Sequence, residues 1–147
     1  VQLAVHNRGT QDLPFTAALH SYLRVPDVQQ AELQGLQGLT YWDAVADTHP
    51  QQQGAVRFGV ETDRVYPRAA QLLQLLCGKQ PWLQIAQDAA WTESVVWNPG
   101  PALCATLKDM EADSWQQMLC VEAAAIDAPV ALGPDQRWKA AQTFECF

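Results

Sequence analysis

Two residues, His20 and Glu122, have the chemistry and the local surroundings to move protons. Glu122 interrupts an otherwise apolar stretch, Met118-Leu-Cys-Val-Glu-Ala-Ala-Ala-Ile126. In a strand its same-face neighbours are Cys120 and Ala124, both small, so its carboxylate stands in a hollow. An isolated carboxylate in apolar surroundings is costly unless paired, and its pKa rises. That suits a general base working near neutrality; the plainer reading is a hidden structural ion pair. His20 shares a strand face with Thr16, Ala18, Tyr22 and Arg24, where the small Ala18 leaves space. Such a face is either the floor of a cleft or the site of an ordinary structural histidine. The segment Gly59-Val-Glu-Thr-Asp-Arg-Val-Tyr66 sets Glu61, Thr62, Asp63 and Arg64 between apolar runs, and by itself reads as a solvated turn. Trp91 and Trp97 either stack on the C–H face of a sugar or belong to the core.

Other chemistries find little support. Cys77, Cys104, Cys120 and Cys146 include no pair at the short spacing of a zinc knuckle or a redox dithiol. They read as free thiols in a reducing cytosol. His6, His20 and His49 are isolated in sequence, so no metal centre is expected. The chain has neither a glycine-rich phosphate loop nor a nucleophile elbow, which disfavours a nucleotide-dependent enzyme and a serine hydrolase.

The elements that must position these residues are strands. Phe15–Val25 is the clearest, with Phe15, Ala17, Leu19, Leu23 and Val25 on one face, and Pro26-Asp27 ends it. Turn signals follow at short intervals: Gly35, Gly38, Thr48-His-Pro50, Gly54, Gly78-Lys79, Asn98-Pro-Gly-Pro101 and Gly133-Pro134. Between them, strand character is expected over 28–33, 39–45, 56–61, 82–88, 94–97, 118–125 and 138–147. Many short strands between Gly/Pro turns predict an all-β sandwich or barrel-like sheet. Ala69–Cys77 is open between a helix, from its leucine spacing, and a hairpin with 82–88. A helical turn is expected within 107–117.

Composition sets the outer bounds. The 147 residues suit one domain with a real core, and 48% are hydrophobic against 17% charged. Nine Lys and Arg against 16 Asp and Glu give a net charge of −7, which argues against a nucleic-acid surface and an anionic membrane face. No apolar run reaches the about 18 residues of a transmembrane helix. The N-terminus lacks the charged and apolar regions of a signal peptide, so a cytoplasmic location is expected. The chain begins at Val1, without Met, in what reads as the middle of a strand.

Five ordered blocks make the sequence recognisable: Phe15-Thr-Ala-Ala-Leu-His-Ser-Tyr-Leu-Arg-Val25, Gly35-Leu-Gln-Gly-Leu-Thr-Tyr41, Glu61-Thr-Asp-Arg-Val-Tyr66, Ser94-Val-Val-Trp-Asn-Pro99 and Met118-Leu-Cys-Val-Glu-Ala-Ala125. Together they resemble the D-hexose-6-phosphate mutarotases (glucose-6-phosphate 1-epimerases), a branch of the aldose 1-epimerase family. The resemblance implies a galactose-mutarotase-like β-supersandwich, of which residues 1–147 form the C-terminal part. It implies cofactor-free interconversion of the α and β anomers of a hexose 6-phosphate. His20 and Glu122 match the family's catalytic pair, and Asp63 the carboxylate that holds sugar hydroxyls. Arg24, on the His20 face, is a substrate-binding candidate for the phosphate or simply a face residue. The family's other phosphate-binding Arg and Lys groups lie in a first half with no counterpart here. A hexose phosphate is the expected partner, with no nucleic acid and no membrane, and open sheet edges suggest a homodimer. The alternatives are a carbohydrate-binding module without turnover and an inactive, self-associating fragment.

Overall fold

Closely spaced turns and alternating side chains build an antiparallel sandwich. The computed structural model describes residues 1–67 and 72–147. Its first strands are β1 (Gln2–His6), β2 (Leu13–Leu19), β3 (Tyr22–Arg24) and β4 (Ala31–Gln34). Then come β5 (Trp42–Asp43), β6 (Val56–Arg57), β7 (Thr62–Pro67) and β8 (Leu73–Cys77). The last are β9 (Gln80–Gln87), β10 (Glu93–Asn98), β11 (Met118–Leu132) and β12 (Arg137–Cys146), with one short helix, α1 (Gly100–Cys104), after β10. One sheet runs β1-β12-β9-β8-β4-β6. The other runs β2-β11-β10-β7-β5, and β3 also pairs with β11. Among the described residues no helix is long and apolar enough to cross a membrane.

The main core lies between the sheets. Leu33, Leu73, Leu75 and Ile85 of the first sheet share it with Tyr66, Val96, Leu119 and Val121 of the second. The odd-numbered residues of β11 therefore face inward at Leu119 and Val121. Met118, Cys120, Glu122 and Ala124 point to the opposite face by the two-residue period of a strand. Both faces of this half of β11 are buried, which explains why it reads as an almost unbroken apolar run.

Several expectations change in detail. The strand expected over Phe15–Val25 is two strands, β2 and β3, interrupted at His20 and Ser21. The interruption is held from beneath: Ser21 Oγ donates to Gln142 Oε1 at 3.0 Å, and Gln142 Nε2 donates to the Val121 carbonyl, also at 3.0 Å. Gln142 is fully buried and ties β12 of one sheet to β11 of the other. The segment read as a solvated turn around Asp63 is instead strand β7, paired with both β10 and β5. Of the run 39–45 only Trp42–Asp43 forms a strand, with a single bridge from Thr40 to Gln51, and 28–33 opens with a 3-10 turn at Val28–Gln30 before β4. The leucines of 73–77 form a hairpin with β9, and Gly78 (φ 57°) with Lys79 (φ 68°) make its two-residue turn. Both residues at positive φ give the turn twist that matches paired strands. Ala69–Gln71 lie outside the described residues. The helical turn within 107–117 is a 3-10 turn at Ser114–Gln117.

The connection leaving β10 is packed too tightly for a side chain. Asn98, fully buried, donates to the carbonyls of Trp115 (2.9 Å) and Met118 (2.7 Å) and accepts from Gly100 N at 2.9 Å. Gly100 has φ +61°, and a Cβ there would stand 2.4 Å from Glu61 N and 2.8 Å from the Val60 carbonyl carbon. Both obstacles are backbone. Gly100→Ala is therefore expected to destabilise the protein by about 3 kcal/mol, adding left-handed strain to a clash that only a backbone shift relieves. Urea denaturation measures it; an unchanged midpoint would show that the 60–61 loop moves aside freely.

Candidate active site

Strand register collects the candidate residues on one sheet face. Tyr22 pairs with Cys120, Cys120 with Trp97, and Trp97 with Asp63, giving a row across β3, β11, β10 and β7. Glu122 lies two residues along β11 from Cys120 and so points to the same side. Its partner across the β2/β3 break is His20. Ala123↔Leu19 above the break and Cys120↔Tyr22 below it keep one register, and His20 falls opposite Glu122 in that line.

The side chains close this approach. His20 Nε2 stands 3.3 Å from Glu122 Oε1. The imidazole side chain is 51% exposed and the carboxylate side chain only 8%, so Glu122 is reached from the His20 side. Tyr22 stacks on the imidazole with ring centroids 4.8 Å apart and planes 13° off parallel. Trp97 meets the same ring edge-on at 5.9 Å. Together the two aromatic rings fix the imidazole plane beside the carboxylate.

Burial and repulsion make Glu122 hard to ionise. Its pKa is pushed up to about 7, first by burial and then by the charge of Asp63. The Asp63 carboxyl is itself raised, by burial and then by Glu61 and Asp43, while His20 works in the opposite direction. Burial, with Glu122 adding to it, lifts the Cys120 thiol well above its usual range. Two carboxyls and one imidazole thus share one partly buried sheet face, and a proton is available there near neutral pH.

Other candidates are sorted by the same geometry. Arg24 pairs with Met118 and lies on the His20 face, yet it lines a neighbouring cleft of about 410 Å³ together with Glu111 and Asp113. Trp91 is buried against Trp138 at 4.9 Å and belongs to the core, whereas Trp97 borders the His20–Glu122 hollow. Arg64, next to Asp63, points the other way: it lies over the Tyr41 ring at 4.9 Å and donates to Gln52 Oε1 at 3.2 Å. Sequence reasoning assigned no role to Tyr22, although the i+2 spacing from His20 was its signal. It also found no metal-ligand spacing, yet His20, Cys120 and Glu122 bring three donor atoms within 4.8 Å of one another.

The chain has relatives among known proteins. A Cenchrus ciliaris protein is 28% identical over 139 residues, covering 92% of this chain and 42% of its own length. A Salmonella typhimurium protein is 32% identical over 138 residues, covering 87% of this chain and 44% of its own. Both bear the name "Putative glucose-6-phosphate 1-epimerase". A crystal structure of a "putative mutarotase" from Salmonella typhimurium superposes with a TM-score of 0.81 at 28% identity, over 97% of this chain and 48% of that one. The chain thus spans less than half the length of these relatives, and within that span its fold is the mutarotase fold. The sequence pattern of the family described as Aldose 1-epimerase matches residues 1–145, a stretch that takes in both sheets and every candidate residue above, so the chain belongs to the aldose 1-epimerase family.

Proposed function

We propose that this chain carries the acid–base centre of an aldose 1-epimerase acting on a hexose 6-phosphate. The observation that carries the reading is the 3.3 Å approach of a half-exposed imidazole to a buried carboxylate on the face that also bears Asp63. Ring opening of a pyranose needs a base at the anomeric hydroxyl and an acid at the ring oxygen. Both oxygens are bonded to one carbon, so the two protein groups must lie close together. Glu122 takes the hydroxyl proton while protonated His20 gives one to the ring oxygen. The C1–O5 bond breaks, an aldehyde forms, and rotation about C1–C2 presents its other face. Ring closure then runs with the roles exchanged. No net proton is consumed.

Asp63 holds the sugar in register with this pair. It lies two strand spacings from β11, roughly 10 Å, which a pyranose with its hydroxyls can span. A carboxylate accepting two hydroxyl hydrogen bonds fixes the orientation of the ring. Trp97, between Asp63 and the pair, offers its indole face to the sugar's C–H bonds. Arg24, on the same face by its pairing with Met118, would receive the phosphate.

Exchange between the anomers of glucose 6-phosphate, followed by NMR or polarimetry, tests the reading directly. Acceleration over the spontaneous rate is expected; saturable binding without acceleration would make the chain a binding module instead. The acidic residues beside Arg24 favour a second reading, in which the preferred substrate is an uncharged aldose. Equal or better rates with glucose would select it. Asp63→Asn is expected to raise KM about tenfold or more, the worth of charge-assisted hydrogen bonds, with a smaller effect on kcat. The same variant should move the acidic limb of the pH–rate profile downward, because Asp63 is one of the groups that hold the pKa of Glu122 up. A profile that stays in place would separate Asp63 from the site.

A further inference from the structure

Three donors of different chemistry converge at the hollow between β11 and the β2/β3 break. His20 Nε2, Cys120 Sγ and a carboxylate oxygen of Glu122 all lie within 4.8 Å of one another. We propose that they form a binding site for a thiophilic divalent cation of the zinc type. Zinc takes nitrogen, sulfur and oxygen donors tetrahedrally at about 2.0–2.3 Å. The edges of such a tetrahedron are about 3.3 Å between nitrogen and oxygen and about 3.6 Å to sulfur. The His20–Glu122 separation of 3.3 Å already matches the first edge. The sulfur edges need to contract by no more than about 1.2 Å from the observed limit of 4.8 Å. Rotation of the half-exposed His20 side chain closes its own edge to sulfur, and rotation of the Glu122 carboxyl group closes the edge between Glu122 and Cys120. Three protein ligands leave the fourth position to water, and the exposed imidazole edge is the route of entry.

The chemistry balances without redox change. The Cys120 S–H bond breaks, its proton passes to solvent, and the sulfur lone pair forms the metal–sulfur bond. Binding stands independently of the proposed activity. Its consequence rests on that activity: a bound ion ties up the lone pairs of Glu122 and His20 together, so anomer exchange stops.

The test titrates the whole chain with cadmium, whose thiolate complexes absorb in the ultraviolet, and with zinc in a calorimeter. One equivalent should bind, with the charge-transfer band, release of about one proton per ion and loss of anomer exchange that a chelator reverses. Cys120→Ala should abolish the band and weaken zinc about tenfold or more, while metal-free activity is retained. Cys120→Ser serves the same purpose if the alanine variant folds poorly. A band that persists in both variants comes from Cys77, Cys104 or Cys146 and overturns the site, as does unchanged zinc affinity. Cation binding through Cys120 without inhibition supports the site and overturns the acid–base reading of His20 and Glu122 instead.

Discussion

Glu122→Gln is expected to lower the anomerisation rate by roughly 10²–10⁴-fold while making the protein more stable at alkaline pH. The first effect follows from removing the base: an amide cannot take the anomeric proton. The second follows from where the carboxylate sits. An ordinary value of 4.5 is pushed to about 7 in the folded protein, so the folded state holds a proton that the unfolded state releases. Below pH 4.5 both states are protonated and Glu122 has no effect on stability. Between 4.5 and about 7 the unfolded state ionises first, and stability falls with rising pH. Above that range the loss is complete, and a shift of this size corresponds to about 3 kcal/mol. The glutamine variant lacks this slope. Urea midpoints of both proteins at pH 5 and pH 8 measure it. A variant that is inactive yet relatively more stable at pH 8 marks a group held ionisable for function at the expense of the fold. Equal pH dependence in the two proteins would show that Glu122 titrates alike in the folded and unfolded states, and undiminished activity would remove it from the mechanism. The same titration places the acidic limb of the wild-type pH–rate profile near 7, with activity rising as Glu122 becomes the base.

His20→Ala should cost a comparable factor, about 10²–10⁴ in kcat, through loss of the acid at the ring oxygen. The imidazole side chain is half exposed and outside both core clusters, so its removal leaves the packing intact. The circular dichroism and melting temperature of the variant should therefore stay close to wild type. The opening left between Tyr22 and Glu122 is reachable from solvent, so added imidazole should restore part of the rate, saturably. Rescue distinguishes a lost proton donor from a disturbed fold. The effects of His20→Ala and Glu122→Gln should also fall far short of adding, because acid and base act in one step. Full additivity, or a His20→Ala enzyme near the wild-type rate, would break the pairing. Tyr22→Ala, by contrast, removes a ring that only holds the imidazole plane, so it should cost less than either.

The fold class was legible because strand chemistry is local. Turn residues at short intervals and two-residue alternation specify strands without reference to partners, and both are present from Val56 to Phe147. Glu122 was legible for a related reason: a charge in an apolar run is improbable without a use. Where strands end was less visible. Phe15–Val25 alternates with one exception, Ser21 on its apolar face, and a single polar residue does not by itself announce a break. The break is held by Gln142, more than a hundred residues away, through Ser21 and the Val121 carbonyl. The polar run around Asp63 looks like a turn for a similar reason. Its strand exists because β10 and β5 satisfy its backbone on both sides.

Residue type, alternation and ordered motifs are enough to specify a sheet protein of the aldose 1-epimerase family and to single out His20, Glu122 and Asp63 as candidates for its chemistry. That these residues share one sheet face comes from the fold. Register is a property of pairs of strands, set where one strand's buried face fits another's, and a slip of one residue would turn Glu122 into the core. The continuous register across the β2/β3 break puts His20 opposite Glu122, and the Tyr22–Cys120–Trp97–Asp63 row extends that face over four strands. The raised pKa of Glu122 was likewise foreseeable in direction from its apolar run. Its second cause, the charge of Asp63, comes from a strand that only folding brings near. Cys120 shows the division most clearly: a lone thiol in sequence, it stands within 4.8 Å of donor atoms of His20 and Glu122 once two strands lie side by side.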